Sequence, residues 1–327
     1  MATLRNRSGK WQARVVRKGH IPVAKTFQAK QDAERWARKV ESDMDKGSYS
    51  SPVLAERTTF KEVVERYIKE VTPTMRSVIE DTFRLKKLSK HPLCKLSMAA
   101  LTQTRIAEYR DERLKTVTSG TVIRELSYLS SIINHSRREW GMNIINPVQL
   151  VKKPASPPGR CRVLNDAELV QLLDSVKPTG RRSVWMLPIV EFTLATAMRR
   201  GELLRLRWPD IHFEKQTAHL AITKNGDSRT VPLSTTAIQI LNSLPRSIDG
   251  RVFPVNAPAV AAAFIKATKR ADIPDFHFHD LRHMAITRLA EKLPNLIELS
   301  AVSGHKSLAM LKRYYHPDAG VLAQKLG

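Results

Sequence analysis

Residues 151–160 read Val-Lys-Lys-Pro-Ala-Ser-Pro-Pro-Gly-Arg. The prolines at 154, 157 and 158 fix φ, remove backbone donors and push the residues before them away from helix. Lys152, Lys153 and Arg160 keep the segment in water, so it reads as an extended connector that cannot join a core. This stretch decides the organisation of the chain: the residues on either side must bury their apolar groups separately.

On the N-terminal side, residues 58–146 read as almost wholly helical. The clearest element begins near Ser119 and runs TVIRELSYLSSIINHSRREW until Gly141 stops it. Val122, Leu126, Leu129, Ile132 and Ile133 recur on one helix face, leaving Arg124, Arg137 and Arg138 outward. GSYSSPV at 47–53 reads as another linker. Before it, Trp11, Ala13 and Val15 alternate as a strand does, Gly19-His20 turns, and Ile21, Val23 and Lys25 alternate up to Phe27. Ala33, Trp36, Ala37, Val40 and Met44 then recur at helical spacing. The expected units are a sheet-plus-helix module at 1–50, with Arg5, Arg7, Lys10, Arg14, Arg17 and Lys18 near its strands, and a helical domain at 58–150.

On the C-terminal side, residues 161–327 mix helices with a little sheet. Asn165 or Asp166 can cap a helix running to about Val176, and a second helix is predicted over 182–198. HLAITKNGDSRTVPL predicts two short strands around Asn225-Gly226, a strong hairpin signal. Helices follow near 258–270, 279–292, 295–302 and 307–315. The expected fold class is multidomain and mainly α: a small β-sheet-plus-helix N-terminal module, a helical middle domain and a mixed α/β, mostly helical, C-terminal domain.

The charge balance narrows the function. Lys and Arg number 55 against 31 Asp and Glu, a net charge of +24, which favours a polyanionic partner such as nucleic acid. No apolar run of about 18 residues offers a membrane span, and the basic N-terminus lacks the apolar stretch of a signal peptide. Neither Cys94 nor Cys161 sits in a CxxC pair, and two cysteines make no disulfide framework, so a cytoplasmic protein with no membrane partner is expected.

The last segment carries several phosphate-seeking side chains. Arg199 ends a helix, Lys224 lies at the hairpin tip, and His279 and Arg282 are three apart, so they share a helix face. His305 follows Gly304, and Tyr314 lies nine residues on. Attack on a phosphodiester builds negative charge on the non-bridging oxygens, which two guanidiniums can hold while staying protonated. Histidines can donate to the same oxygens or move a proton. A tyrosine is a suitable nucleophile because its phenolate leaves more readily than an alkoxide, so the covalent step can reverse. The set needs no metal and no nucleotide, and no cofactor is expected.

At these residues the chain resembles the tyrosine recombinase (phage integrase) family. The family's T-G-x-R-x-x-E-L box is matched by Thr196-Ala197-Met198-Arg199-Arg200-Gly201-Glu202-Leu203. Its H-x-L-R-H box is matched by His279 through His283, and its G-H and R-Y-x-H by Gly304-His305 and Arg313-Tyr314-Tyr315-His316. The family's hairpin lysine falls at Lys224. Residues 59–150 resemble the family's core-binding domain and 1–46 its arm-binding module, while the stretch from 59 to the tyrosine is most similar to shufflon recombinases. The resemblance implies a site-specific recombinase that integrates, excises or inverts a DNA segment. In it, Tyr314 forms a 3′-phosphotyrosyl link, Arg199, Arg282 and His305 stabilise the transition state, His279 assists proton transfer and Lys224 is the general acid. It further implies double-stranded DNA clamped by the middle and catalytic domains, four protomers on paired sites passing through a Holliday junction, and a DNA-bending accessory protein as a further candidate partner. Two departures stand out. Ala197 occupies a position that is usually glycine, and thirteen residues follow Tyr314, so the exchange of C-terminal segments between protomers is expected to be reduced or differently built.

Plainer readings compete at each position. Arg199 alone would be a solvated cap and Lys224 a turn lysine, while Glu202 is expected to orient its neighbours and His283 to be accessory to the site. His277, His279 and His283 invite a metal, but closed zinc sites bring cysteines or further ligands at set spacing. Neighbours on a helix point about 100° apart, so only one of Tyr314 and Tyr315 can share a pocket with His305, and the spacing favours Tyr314. The rival functions are a type IB topoisomerase, a metal-dependent nuclease and a sequence-specific DNA-binding regulator. The regulator leaves Arg199, Arg282, His305 and Tyr314 without a reason to co-occur.

Overall fold

Ser8 and Gly9 both take positive φ, 50° and 80°, the two-residue turn whose twist suits paired strands. In the computed structural model, which describes residues 2–46, 53–160, 162–221, 228–315 and 319–326, that turn joins β1 (Thr3–Arg7) to β2 (Lys10–Val15). β2 also pairs antiparallel with β3 (Val23–Phe27), giving a sheet in the order β1-β2-β3. The alternation over 10–27 marks the second and third strands. β1 escapes it because Leu4 is its one apolar residue. Leu4 lies opposite Ala13, and Val15 opposite Val23; α1 (Lys30–Asp45) packs on this apolar face through Ala33, Ala37, Val40 and Met44. Alternation sends Arg5, Arg7, Lys10 and Arg14 to the other face, where all four are exposed.

After α2 (Val53–Arg57) come α3 (Phe60–Glu70), α4 (Val78–Leu88), α5 (Gln103–Leu114) and α6 (Ser119–Glu139). Thr59 opens α3 in a capping box with Glu62, satisfying two of the amides a helix start leaves unpaired. The predicted stripe of α6 is wholly inside: Val122, Leu126, Leu129, Ile132 and Ile133 are buried with Phe60, Val64, Leu85 and Ile106. Arg124, Arg137 and Arg138 are exposed, and Gly141 takes a left-handed φ of 65° just past the helix.

The chain divides into two compact units, 1–158 and 159–327. In the second, Asn165 rather than Asp166 caps α7 (Asp166–Val176), accepting from the Glu168 amide at 2.8 Å. α8 (Met186–Thr196) is shorter than the predicted span and places Pro188 in its first turn, where a missing N–H leaves no helical bond unmade. α9 (Arg200–Leu203) follows. β4 (Ile211–His212), β5 (Thr217–Leu220) and β6 (Arg229–Pro232) form an antiparallel sheet. The Asn225-Gly226 turn and Lys224 lie outside the described residues. α10 (Thr235–Ser243), capped by Ser234, was not anticipated from the sequence. α11 (Ala257–Arg270), α12 (Phe278–Lys292) and α13 (Leu296–Ser303) complete the core.

The predicted helix over 307–315 is instead α14 (Leu308–Leu311) followed by a 3₁₀ turn at Lys312–Tyr314, and α15 (Ala319–Leu326) comes after it. The tightened turn carries the Tyr314 ring in among Ile286, Leu299 and Leu311, while Tyr315 is only half-buried. No helix among the described residues is long and apolar enough to cross a membrane.

Ile133 has no exposed surface, so Ile133→Ala is expected to cost about 2–5 kcal/mol in urea unfolding. Ile79 is 82% exposed, and Ile79→Ala is expected to stay within about 0.5 kcal/mol of wild type.

Candidate active site

The last carbonyls of α13 have no helical partner, and three guanidiniums fill the gap on three successive residues. Arg229 donates through Nη1 to the Val302 carbonyl at 2.6 Å, Arg282 through Nη2 to that of Ser303 at 2.6 Å, and Arg199 through Nη2 to that of Gly304 at 3.0 Å. The negative end of the helix dipole favours cations there. Gly304 caps α13 with φ 67°, and a Cβ on it would lie 2.9 Å from the Arg229 guanidinium. Glycine is therefore needed for both the turn and the close approach.

Glu202 ties two of these arginines together from beneath. Its Oε1 accepts from Arg199 Nη1 at 2.7 Å, and its Oε2 from Arg229 Nη2 at 2.8 Å and the Arg199 amide at 3.1 Å. Burial would raise the carboxyl's pKa, but the two arginines outweigh it and hold it below the ordinary value. Glu202 thus orients its neighbours, as the sequence suggested. Arg229 was missed, since RTVPL reads as plain strand. Its two partners lie 27 and 73 residues away, so no local pattern could have shown it.

Arg282, 2% exposed on α12, also donates through Nη1 to the Ala197 carbonyl. Ala197 closes α8 with φ 53°, a left-handed conformation that explains why glycine suits this position. Burial first, then the nearby Arg199 charge, pulls the Arg282 pKa down to about 9, so the group still enters neutral solution charged. The start of α12 is pinned by Asp280. Its carboxylate accepts from the His277 amide at 2.8 Å and from Arg160 at 2.9 and 3.2 Å.

His305 and Tyr314 complete the cluster. The Ser303 hydroxyl lies 2.8 Å from His305 Nδ1 and can donate to it, which puts the proton of the neutral ring on Nε2. Burial and the charges of Arg282 and Arg199 lower the His305 pKa to about 4. Tyr314 is 7% exposed, with its ring centroid 6.3 Å from that of His305 and 5.5 Å from the Arg313 guanidinium carbon. His279 lines a groove of about 790 Å³ together with Arg199. It is exposed on that side, while packing of its inner face, then His283 and Arg282, lowers its pKa. His283 is hydrogen-bonded through Nδ1 to the Tyr314 hydroxyl.

Of the six residues predicted for the site, Arg199, Arg282, His305 and Tyr314 surround one turn, and His279 stands beside them. Lys224 lies outside the described residues. Among the described residues no group of three or more His, Cys, Asp or Glu side chains is arranged to hold a metal. Paired arginines with neutral imidazoles beside a tyrosine hydroxyl can bind a phosphate diester, stabilise added negative charge and present a nucleophile.

Comparison with known proteins points the same way. The phage integrase family model matches residues 162–320. A Haemophilus influenzae protein assigned as an integrase/recombinase is 36% identical, the match covering 97% of this chain and 88% of that protein. A shufflon-specific DNA recombinase of Escherichia coli is 39% identical, covering 83% of this chain and 72% of that protein. The fold matches a solved lambda integrase tetramer bound to a Holliday junction with TM-score 0.63 at 19% identity, over 94% of this chain and 95% of that one.

Two measurements probe the cluster. Glu202→Ala strands two largely buried guanidiniums and is expected to cost about 3–5 kcal/mol in urea unfolding. The second concerns His305, whose folded pKa near 4 lies below the ordinary 6.5. Between those values the unfolded chain binds a proton that the folded protein resists, so stability falls as pH drops from 6.5 to 4. Melting temperatures followed over that window should decline, and less steeply in His305→Asn.

Proposed function

The chain belongs to the phage integrase family of tyrosine recombinases, and from that premise we propose that it integrates, excises or inverts DNA segments by cutting and rejoining strands through Tyr314. The observation that carries the assignment of roles is the convergence of Arg199, Arg282, His305 and Tyr314 on the turn that ends α13. The Tyr314 hydroxyl attacks the scissile phosphorus, the bond to the 5′ oxygen breaks, and a 3′-phosphotyrosyl link holds the strand. Arg199 and Arg282 grip the non-bridging oxygens through their remaining N–H groups, and His305 donates from Nε2. Lys224 protonates the leaving 5′ oxygen and His279 assists proton transfer. The 5′ hydroxyl of a partner strand then attacks the link, so the bond energy is conserved and no nucleotide is consumed.

The flanking regions take their roles from the same premise. Residues 1–50 act as an arm-type DNA-binding module through the exposed Arg5, Arg7, Lys10 and Arg14, residues 58–150 bind the core site, and 161–327 are catalytic. Four copies act on two double-stranded sites in the cytoplasm through a Holliday junction, with a DNA-bending protein as accessory. The lambda integrase tetramer on such a junction supports this assembly. The net charge of +24 suits many phosphate contacts, each of which releases counterions.

A suicide substrate nicked beside the cleavage position tests the chemistry. In EDTA, wild-type protein and Tyr315→Phe are expected to form a covalent adduct and Tyr314→Phe none. The swapped outcome would move the nucleophile by one residue. Resolution of the adduct into recombinants separates this reading from a type IB topoisomerase, which would only relax supercoils. Binding should weaken steeply between 50 and 200 mM salt, by about 10³-fold or more if six or more phosphates are contacted.

A further inference from the structure

We propose that His283 is a catalytic residue: it takes the phenolic proton of Tyr314 as the tyrosine attacks DNA, and returns it when the strand is rejoined. The inference rests on Tyr314 being the nucleophile and adds the destination of its proton. His283 Nδ1 is hydrogen-bonded to the Tyr314 hydroxyl, and the two rings lie nearly parallel at 24° with centroids 5.7 Å apart. The other two histidines are engaged differently. His305 uses Nδ1 on Ser303, and His279 packs edge-on against the His283 ring at 5.0 Å.

The surroundings of His283 prepare it to accept. Burial first, then the cations Arg313 on the 3₁₀ turn, Arg282 on its own helix and Arg160 on the connector, disfavour the imidazolium. Asp280, one turn back, opposes them, and the net effect lowers the pKa. The neutral His279 and His305 rings complete the titratable neighbours. At neutral pH the ring is therefore neutral, and in the tautomer with its proton on Nε2 the Nδ1 lone pair meets the Tyr314 hydroxyl. The helix also fixes the ring's position. Arg282, which would hold the phosphate, is the preceding residue, and the Thr287 hydroxyl donates to the His283 carbonyl at 3.1 Å. Phosphate clamp and proton acceptor thus sit side by side on α12.

The step balances without an added reactant. The tyrosine oxygen forms a bond to phosphorus with a lone pair while its proton passes to His283 Nδ1. The bond from phosphorus to the 5′ oxygen breaks, and that oxygen takes its proton from the general acid. In the reverse step the His283 imidazolium protonates the departing phenolate. Because one group serves both directions, its loss slows cleavage and rejoining alike.

Single-turnover cleavage of the nicked suicide substrate, followed from pH 6 to 9, tests the inference. Wild type is expected to show little change above pH 7. His283→Ala should be about 10²-fold slower at pH 7, with a rate that rises with pH as the phenol ionises without a base beside it. Imidazole in solution should restore part of the His283→Ala rate. His283→Asn, which keeps a polar side chain in place but accepts no proton, should melt near wild type and remain slow. A wild-type rate and flat profile in His283→Ala would overturn the inference, as would a slow rate that neither imidazole nor pH improves. Either result with no adduct in Tyr314→Phe leaves the nucleophile standing, whereas an adduct in Tyr314→Phe overturns both.

Discussion

Glu202 lies almost wholly out of water between two guanidiniums, and through them it sets the shape of the catalytic unit. Arg199 and Arg229 each give it a hydrogen bond and each also donate to the end of α13. With Arg282 on the intervening carbonyl, three cations close on residues 302–304. One carboxylate and a helix terminus balance this charge incompletely, and the remainder is directed at whatever anion enters. Donors already held in place need no rearrangement when negative charge develops on phosphate, the condition under which electrostatic stabilisation is strongest. The same network places His305, because the turn held by the arginines is the turn that carries it.

The sequence offered the candidate residues more readily than the bonds that hold them together. Arg199, Arg282, His305 and Tyr314, which the fold brings together, could be named as candidates because phosphate chemistry restricts which residue types serve, and their motifs are local. Arg229 could not, since its role depends on contacts to Glu202 and Val302 that exist only after folding. Ala197 shows an intermediate case: the motif position was plain, while the reason for its usual glycine appears only in the left-handed backbone. Among the elements, the α6 stripe was readable because five apolar residues keep strict helical spacing over three turns. β1 was hidden by polar residues, and the extent of the helix before Tyr314 was overread, because periodicity does not distinguish an α turn from the tighter 3₁₀ turn.

α12 gathers more of the chemistry than any other element. Asp280 fixes its first turn to Arg160, and from that anchored start His279, Arg282 and His283 project within little more than one turn. Helical spacing sets two histidines and an arginine at defined angles without further support. Their shared environment then tunes them: burial and neighbouring cations keep the imidazoles neutral in the free protein, while an arriving phosphate would favour their charged forms. A cluster that is cationic but holds its histidines neutral can bind a polyanion and still accept a proton.

The proposed reaction requires that DNA become covalently attached to Tyr314. The most direct test traps the adduct on a suicide substrate, digests the protein and nucleic acid, and locates the nucleotide remnant by fragment mass spectrometry. Trypsin cutting after Arg313 would leave Tyr314 and Tyr315 at the head of one peptide, which fragmentation can resolve. A phosphonucleotide on Tyr314 is expected; its presence on Tyr315 or on any serine, or the absence of any modified peptide from a reaction that cleaves DNA, would rule out Tyr314 as the nucleophile.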